Sequence, residues 1–169
     1  AFADPLKIIG KFMFDFTEEQ LYGSEKEIID ERYGITPRDF FQKFGTDIIQ
    51  YDLHKHLPNL KINKRCFWVD KTNRWINNKL KENPNSKIII TDIRFKHEIE
   101  YLKNKFPNVK IIKITSNRVN NENNHIAETE QNEIPNNLIN YYISNNGSID
   151  EYYNNINDIF LYDKMSEVL

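Results

Sequence analysis

Apolar residues at Leu6, Ile9, Phe12 and Met13 recur at helical spacing behind Asp4-Pro5, a cap residue followed by a proline suited to the first helical turn. The pattern predicts a helix over 4–14. Thr17 through Gln20 has the capping-box form of a short second helix, which Gly23 stops. Residues 24–35 are charged and aperiodic, and so read as a loop. Thr36-Pro37 opens a further helix with Phe40, Phe41 and Phe44 on one face; Gly45 is expected to interrupt it before a separate helical stretch over 46–53.

The second half changes period. Phe67, Trp68, Val69, Trp75, Ile76 and Leu80 predict a helix over 66–80 that ends at the breaker Asn83-Pro84-Asn85. Ile88, Ile89 and Ile90 have the form of a buried parallel strand. A helix over 95–106, with Ile99, Leu102 and Phe106 inward, and a second strand over 109–114 complete a βαβ unit. Residues 117–137 are polar and long for a connection, which marks a functional or unstructured segment. A third strand over 141–144, a turn at Asn146-Gly147 and a capping box from Ser148 to Glu151 lead into a last helix over 149–162. The expected class is α/β, without internal repeats.

Composition narrows the partners. The 169 residues fit one domain, and 39% hydrophobic with 28% charged residues exclude collagen-like and wholly disordered chains. A net charge of −2 supplies no global basic field for nucleic acid or an anionic membrane, and no apolar run approaches the roughly 20 residues of a membrane span. Cys66 is the single cysteine and no secretory signal is visible, so the expected location is intracellular, in the cytoplasm. Lysine greatly outnumbers arginine, which leaves Arg32, Arg38, Arg65, Arg74, Arg94 and Arg118 as the planar forks that bind phosphate bidentately.

Three places could carry chemistry. Thr91-Asp92-Ile93-Arg94-Phe95 follows the triple-isoleucine segment, and ligands of open α/β sheets bind outside the carboxyl ends of strands. The plainer reading makes Asp92 a cap of the next helix. Arg38 and Gln42 are four apart and share a helix face, either toward a ligand or toward solvent. Arg118, His125, Glu128 and Glu130 lie in the polar segment. His54, His56, His97 and His125 complete no spacing typical of a metal site. Trp68, Trp75 and the phenylalanines suit core packing better than base stacking.

In order along the chain stand Phe2-Ala3-Asp4-Pro5-Leu6-Lys7, Glu19-Gln20-Leu21-Tyr22-Gly23, Gly34-Ile35-Thr36-Pro37-Arg38, Gln42 with Gly45-Thr46, and Phe67-Trp68-Val69. Thr91-Asp92-Ile93-Arg94-Phe95 with Glu98, and His125-Ile126-Ala127-Glu128, follow. This succession resembles the deoxynucleoside monophosphate kinases of phages and large viruses, from the first residue to about Tyr162. The resemblance implies a P-loop kinase-like three-layer sandwich with a parallel sheet. It implies a single domain over 1–169 with a mobile lid at about 116–137. The implied activity is transfer of the ATP γ-phosphate to a deoxynucleoside monophosphate, with ATP and Mg²⁺ as cofactors.

On that resemblance Arg38 and Arg94 bind the monophosphate, and Asp92 orients the acceptor or a magnesium-bound water. Gln42 and Trp68 address the base, Phe2 and Asp4 the sugar, and Gly45 is a further substrate-binding residue. Arg118 reaches the donor phosphates, and His125 and Glu128 fix the lid. The family's first strand and G-x-x-x-x-G-K-[ST] loop have no counterpart here, because Gly10-Lys11 sits inside a helix. The expectation is that roughly 25 residues, about a strand plus that loop, precede Ala1 in the full protein. A non-catalytic nucleotide-binding remnant and a small-phosphate kinase of the phosphomevalonate kinase type are the alternatives. Small-molecule substrates and a homodimer are the expected partners, with neither nucleic acid nor membrane. No residue sets the base or the sugar preference.

Overall fold

A computed structural model describes residues 1–117 and 130–166, with 162–166 described by backbone only. Seven α-helices and two strands are present among them. Helix α1 (Asp4–Phe14) is followed by α2 (Glu18–Tyr22), a 3₁₀ turn (Ser24–Glu27) and α3 (Pro37–Gln42), which runs directly into a π-helix (Lys43–Asp52) and α4 (Leu53–His56). Helices α5 (Phe67–Glu82) and α6 (Lys96–Lys105), strand β1 (Ile112–Thr115), a 3₁₀ turn (Asn136–Leu138), strand β2 (Tyr141–Ser144) and α7 (Ile149–Ser166) complete the chain. No helix among the described residues is long and apolar enough to cross a membrane.

The local signals explain most of these boundaries. Thr17 Oγ1 accepts the Gln20 N–H while the Gln20 side chain accepts the Thr17 N–H, which is the predicted capping box. Ser148 and Glu151 form the same reciprocal pair at α7. Thr36 caps α3 through the Asp39 N–H. The loop over 24–35 is ordered around buried Asp30, whose carboxylate takes bonds from the Gln20 amide and from both Nε and an Nη of Arg32. Arg32 reaches on to the carbonyl of Phe14 at the end of α1, so this arginine holds structure rather than a ligand.

Four expectations need correction. Asp4 does not cap α1: Ala3 occupies that position without a side-chain cap bond, and Asp4 lies in the first turn. The two N–H groups that a local cap would serve are instead bonded from a residue far along the chain, described below. Gly45 does not interrupt its helix either; the helix widens to π geometry from Lys43 and continues. Residues 88–90 pair with no strand, and Ile89 is 80% exposed. A strand needs a second backbone to receive its alternate N–H and C=O groups, and none of the described segments lies alongside. The βαβ unit over 88–114 is therefore not closed, and the sheet among the described residues of this α/β chain has two parallel strands.

The parallel pair is β1 with β2, Ile112 opposite Tyr141 through Thr115 opposite Ser144. Strand β1 starts later than the apolar run does, because Ile111 spends its N–H on Asn140 Oδ1 and its carbonyl on the N–H groups of Asn140 and Tyr141. Parallel strands require a long crossover, and residues 116–140 supply it.

The main core joins Phe2, Leu6, Phe16, Leu21, Phe40 and the α5 residues Trp68, Val69 and Ile76, with Leu102 from α6. Gly10 sits where a Cβ would come within 3.1 Å of Phe40 and 3.2 Å of Phe16, so its role in α1 is close packing. A smaller cluster of Ile99, Ile111 and Ile134 seats α6 on the entry to β1. Cys66 is buried and free, and burial raises its thiol pKa.

Candidate active site

One cavity of about 250 Å³ opens where the start of α1, the 3₁₀ turn after α2, the α3–π-helix rod, the start of α5 and residues 92–98 meet. It gathers most of the site residues expected from the sequence. Phe2, Arg38, Gln42 and Gly45 line it from the first half of the chain, and Trp68, Asp92 and Arg94 from the second. Asp4 is the exception, exposed and outside the lining. Arg118, His125 and Glu128 lie outside the described residues.

The rod contributes a ladder. Arg38, Gln42, Thr46 and Gln50, each four residues from the next, all line the cavity. On a straight α-helix four residues turn about 400°, so such a row drifts by about 40° per step. In the π-helix, with its i→i+5 bonds and wider turn, the same step falls short of a full turn, so the drift there opposes that of the α-helical part and the row stays on the cavity side. Gly45 permits close approach of α1: a Cβ there would sit 2.7 Å from Leu6 Cδ2. Its carbonyl accepts the Trp68 indole N–H at 2.8 Å, so Trp68 is buried and presents ring rather than a free donor to the cavity.

Two carboxylates organise the opposite wall. Asp92 accepts the N–H groups of Phe2 and Ala3, each at 2.9 Å, one on each oxygen. It caps the start of α1 rather than the helix that follows it. That following helix is capped by Glu98, whose Oε2 accepts the Arg94 N–H at 3.0 Å and the Phe95 N–H at 3.1 Å. Glu98 is only 3% exposed and also receives the Gln50 side chain. Burial, aided by the charge of Asp92, pushes its carboxyl up to about 7 against the pull of the two N–H groups. The Oε1 of buried Gln50 has no hydrogen-bond partner among the described residues.

Cations face these acids. Lys7, Lys26 and Arg38 line the cavity beside Arg94. Arg38 Nε donates to Glu27 at 2.7 Å on the exposed rim, and the Lys7 ammonium lies 3.9 Å from the centre of the Tyr22 ring. Burial lowers the Lys26 pKa, and the positive charges of Lys7 and Arg38 lower it further.

Sequence reasoning missed Glu98 as a cavity residue, although a Glu three residues past the Phe95 N-cap carries a capping-box spacing. It missed Lys7, Lys26 and Gln50 too, whereas Thr46 stands with Arg38, Gln42 and Gly45 among the candidates from the sequence. The step of four from Arg38 and Gln42 extends to Thr46 and Gln50, but Lys26 sits in an aperiodic loop with no signal of its own.

A second cavity, between α6 and the segment from Glu130, is lined by Arg65, His97 and Glu130. Arg65 and the Tyr51 hydroxyl both donate to Glu130, at 2.6 and 2.8 Å. The Arg65 guanidinium lies 4.6 Å from the Tyr51 ring centre and 5.4 Å from that of Phe95. Among the described residues no group of His, Cys, Asp and Glu side chains could hold a metal ion.

The arrangement of two arginines, two lysines and a hydrogen-bonded aspartate in one cavity suits a small anionic substrate. A family model for deoxynucleotide monophosphate kinase matches residues 7–156. The chain belongs to the deoxynucleotide monophosphate kinase family. A protein of Acanthamoeba polyphaga mimivirus bearing the name "Putative deoxynucleotide monophosphate kinase" is 32% identical over 159 residues, which cover 92% of this chain and 79% of the mimivirus protein. No solved structure gives a significant match. Every described residue of the cavity from Lys7 onward falls within the kinase-family match; Phe2, Ala3 and Leu6 precede it.

Proposed function

We propose that this kinase-family chain phosphorylates a deoxynucleoside monophosphate with the γ-phosphoryl group of ATP, and that the cavity between α1, α3 and residues 92–98 is the acceptor site. The observation that carries the reading is the meeting of Arg38 and Arg94, 56 positions apart, in one cavity floored by Asp92. A phosphate monoester carries nearly two negative charges at neutral pH, and two guanidinium groups match it in charge and in bidentate geometry. Phosphoryl transfer asks a protein mainly for positioning and charge stabilisation. Arg38 and Arg94 position the acceptor phosphate, Gln42 and the Trp68 ring bound the base, and Phe2 bounds the sugar.

Mg²⁺, which the kinase family implies, would supply charge neutralisation toward the nucleotide phosphates when bound. Asp92 fits it as an outer ligand: each of its oxygens has one N–H bond and retains a lone pair, and carboxylate oxygen suits this hard ion through water. Asp92 itself holds the start of α1 against the segment that leads into α6, so the same group that fixes Phe2 also presents oxygen to the cavity.

The test is ATP-dependent conversion of the four deoxynucleoside monophosphates by the full-length gene product, with nucleotides separated by anion-exchange chromatography. Formation of a deoxynucleoside diphosphate and ADP in equal amounts from at least one of them is the expected result. Binding without turnover for all four would reduce the protein to a nucleotide-binding module, and no binding would remove the acceptor site altogether.

A further inference from the structure

We propose that Lys26, with Lys7 and Arg38, forms a three-cation cradle for the phosphate monoester of the acceptor, and that this cradle makes the cavity choose a 5′-monophosphate over its nucleoside. The inference rests on the acceptor-site reading above and assigns a recognition role to Lys26, which no sequence motif marks, and to Lys7, which ends the Phe2-to-Lys7 run. The three cations arrive from three separate elements, Lys7 from α1, Lys26 from the 3₁₀ turn and Arg38 from α3, and all line one cavity.

Among the described residues neither lysine is neutralised by a carboxylate, whereas Arg38 pairs with Glu27, the neighbour of Lys26, on the rim. Lys7 rests on the Tyr22 ring, a contact that attracts the ammonium while leaving its N–H donors available. The acids in the lining, Asp92 and Glu98, are engaged by main-chain N–H groups of Phe2, Ala3, Arg94 and Phe95. Lys26 thus stands half-buried in the lining beside Lys7 and Arg38; burial first, and those two charges after it, lower its pKa. Such an arrangement costs the empty protein stability and returns it when a dianion arrives, a common signature of sites kept for binding.

The loop that carries Lys26 is not free to retreat. Asp30, four residues on, is buried and bonded to Gln20 and Arg32, and an isolated bridge joins Asp30 to Ile35. The turn is therefore fixed against α2 and α1, and only the flexible lysine stem moves. A lysine is a point charge that can follow a phosphate through small displacements, where Arg38 fixes its direction.

Calorimetric titration of the full-length protein with a deoxynucleoside monophosphate and with the matching nucleoside, at one ionic strength, tests the cradle. Lys26→Met is expected to weaken monophosphate binding about tenfold or more, to leave nucleoside binding unchanged, and to keep or raise the melting temperature without ligand. Lys26→Arg should retain most of the affinity. Equal monophosphate affinity in wild type and Lys26→Met, with Arg38→Ala still weakened, would overturn the cradle while the acceptor site stands. Equal affinity in all three proteins, or no preference of the wild type for monophosphate over nucleoside, would overturn both.

Discussion

Asp92 and Phe2, separated by 90 positions, are joined by a hydrogen bond of 2.9 Å from the Phe2 N–H to Asp92 Oδ1, with Ala3 bonded alike to Oδ2. The carboxylate does the capping work that Asp4 would otherwise do, and it ties the start of α1 to the cavity floor. Asp92→Asn leaves one acceptor oxygen for two N–H groups. The substitution should lower stability by about 1 to 3 kcal/mol and also reduce kcat. Urea unfolding together with turnover measures both; loss of kcat at unchanged stability would show that the bonds to α1 contribute nothing to the fold.

Arg38 pairs with Glu27 on the rim, where both side chains are well exposed, and such pairs contribute about 0 to 1 kcal/mol. Arg38→Ala should leave the melting temperature almost unchanged. It should raise KM for the monophosphate by the equivalent of about 1.5 to 3 kcal/mol, the worth of a charge-assisted hydrogen bond, with the KM for ATP unaltered. Parallel increases in both KM values would place Arg38 outside the acceptor site.

Glu98 gives stability a pH dependence of unusual sign for a carboxylate. Its folded pKa, about 7, lies above the ordinary value of 4.5, so the folded protein keeps a proton that the unfolded chain has released. Stability from this group is present in full below about pH 4.5, declines as pH rises, and levels off above pH 7. The total change is on the order of 3 kcal/mol. Glu98→Gln should flatten the decline between pH 5 and 8, since its amide can accept the same N–H groups and meet the unpartnered Gln50 oxygen. Unfolding midpoints across that range are the measurement, and an unchanged slope in the variant would assign the decline elsewhere.

Trp68 and Gly45 make a buried bond of 2.8 Å between indole N–H and carbonyl. Trp68→Phe should leave that carbonyl unpaired and open a void, destabilising the protein by about 2 to 4 kcal/mol. Thermal melting reads the loss. A variant as stable as wild type would mean that water or a shifted side chain replaces the indole.

Much of the helical frame was legible because it is written in local signals: Thr17 with Gln20, Thr36-Pro37 and Ser148 with Glu151 cap where their spacing says they should. Arg38, Gln42, Gly45, Trp68, Asp92 and Arg94, the candidates that the sequence offers, line one cavity. What could not be read was long-range. The triple isoleucine has ideal strand composition, yet pairing depends on a neighbouring backbone that composition does not specify. The capping of α1 by Asp92 joins opposite ends of the chain, and Lys26 enters the cavity only because Asp30 folds its loop. The π-helix escaped because Gly45 looks like a breaker, whereas its missing Cβ serves the contact with Leu6.

The ladder of Arg38, Gln42, Thr46 and Gln50 also says where this protein can change length. Each rung faces the cavity only while the count between rungs is kept. Removing or adding one residue between Arg38 and Gln50 would swing the later rungs by about 100° on an α-helical turn, carrying Gln50 away from Glu98 and Thr46 out of the cavity. The segment between α4 and α5 holds no rung, and before Arg65, which lines the second cavity, it can lengthen or shorten without moving a cavity residue. Natural variation in length should accordingly collect there and stay out of the rod.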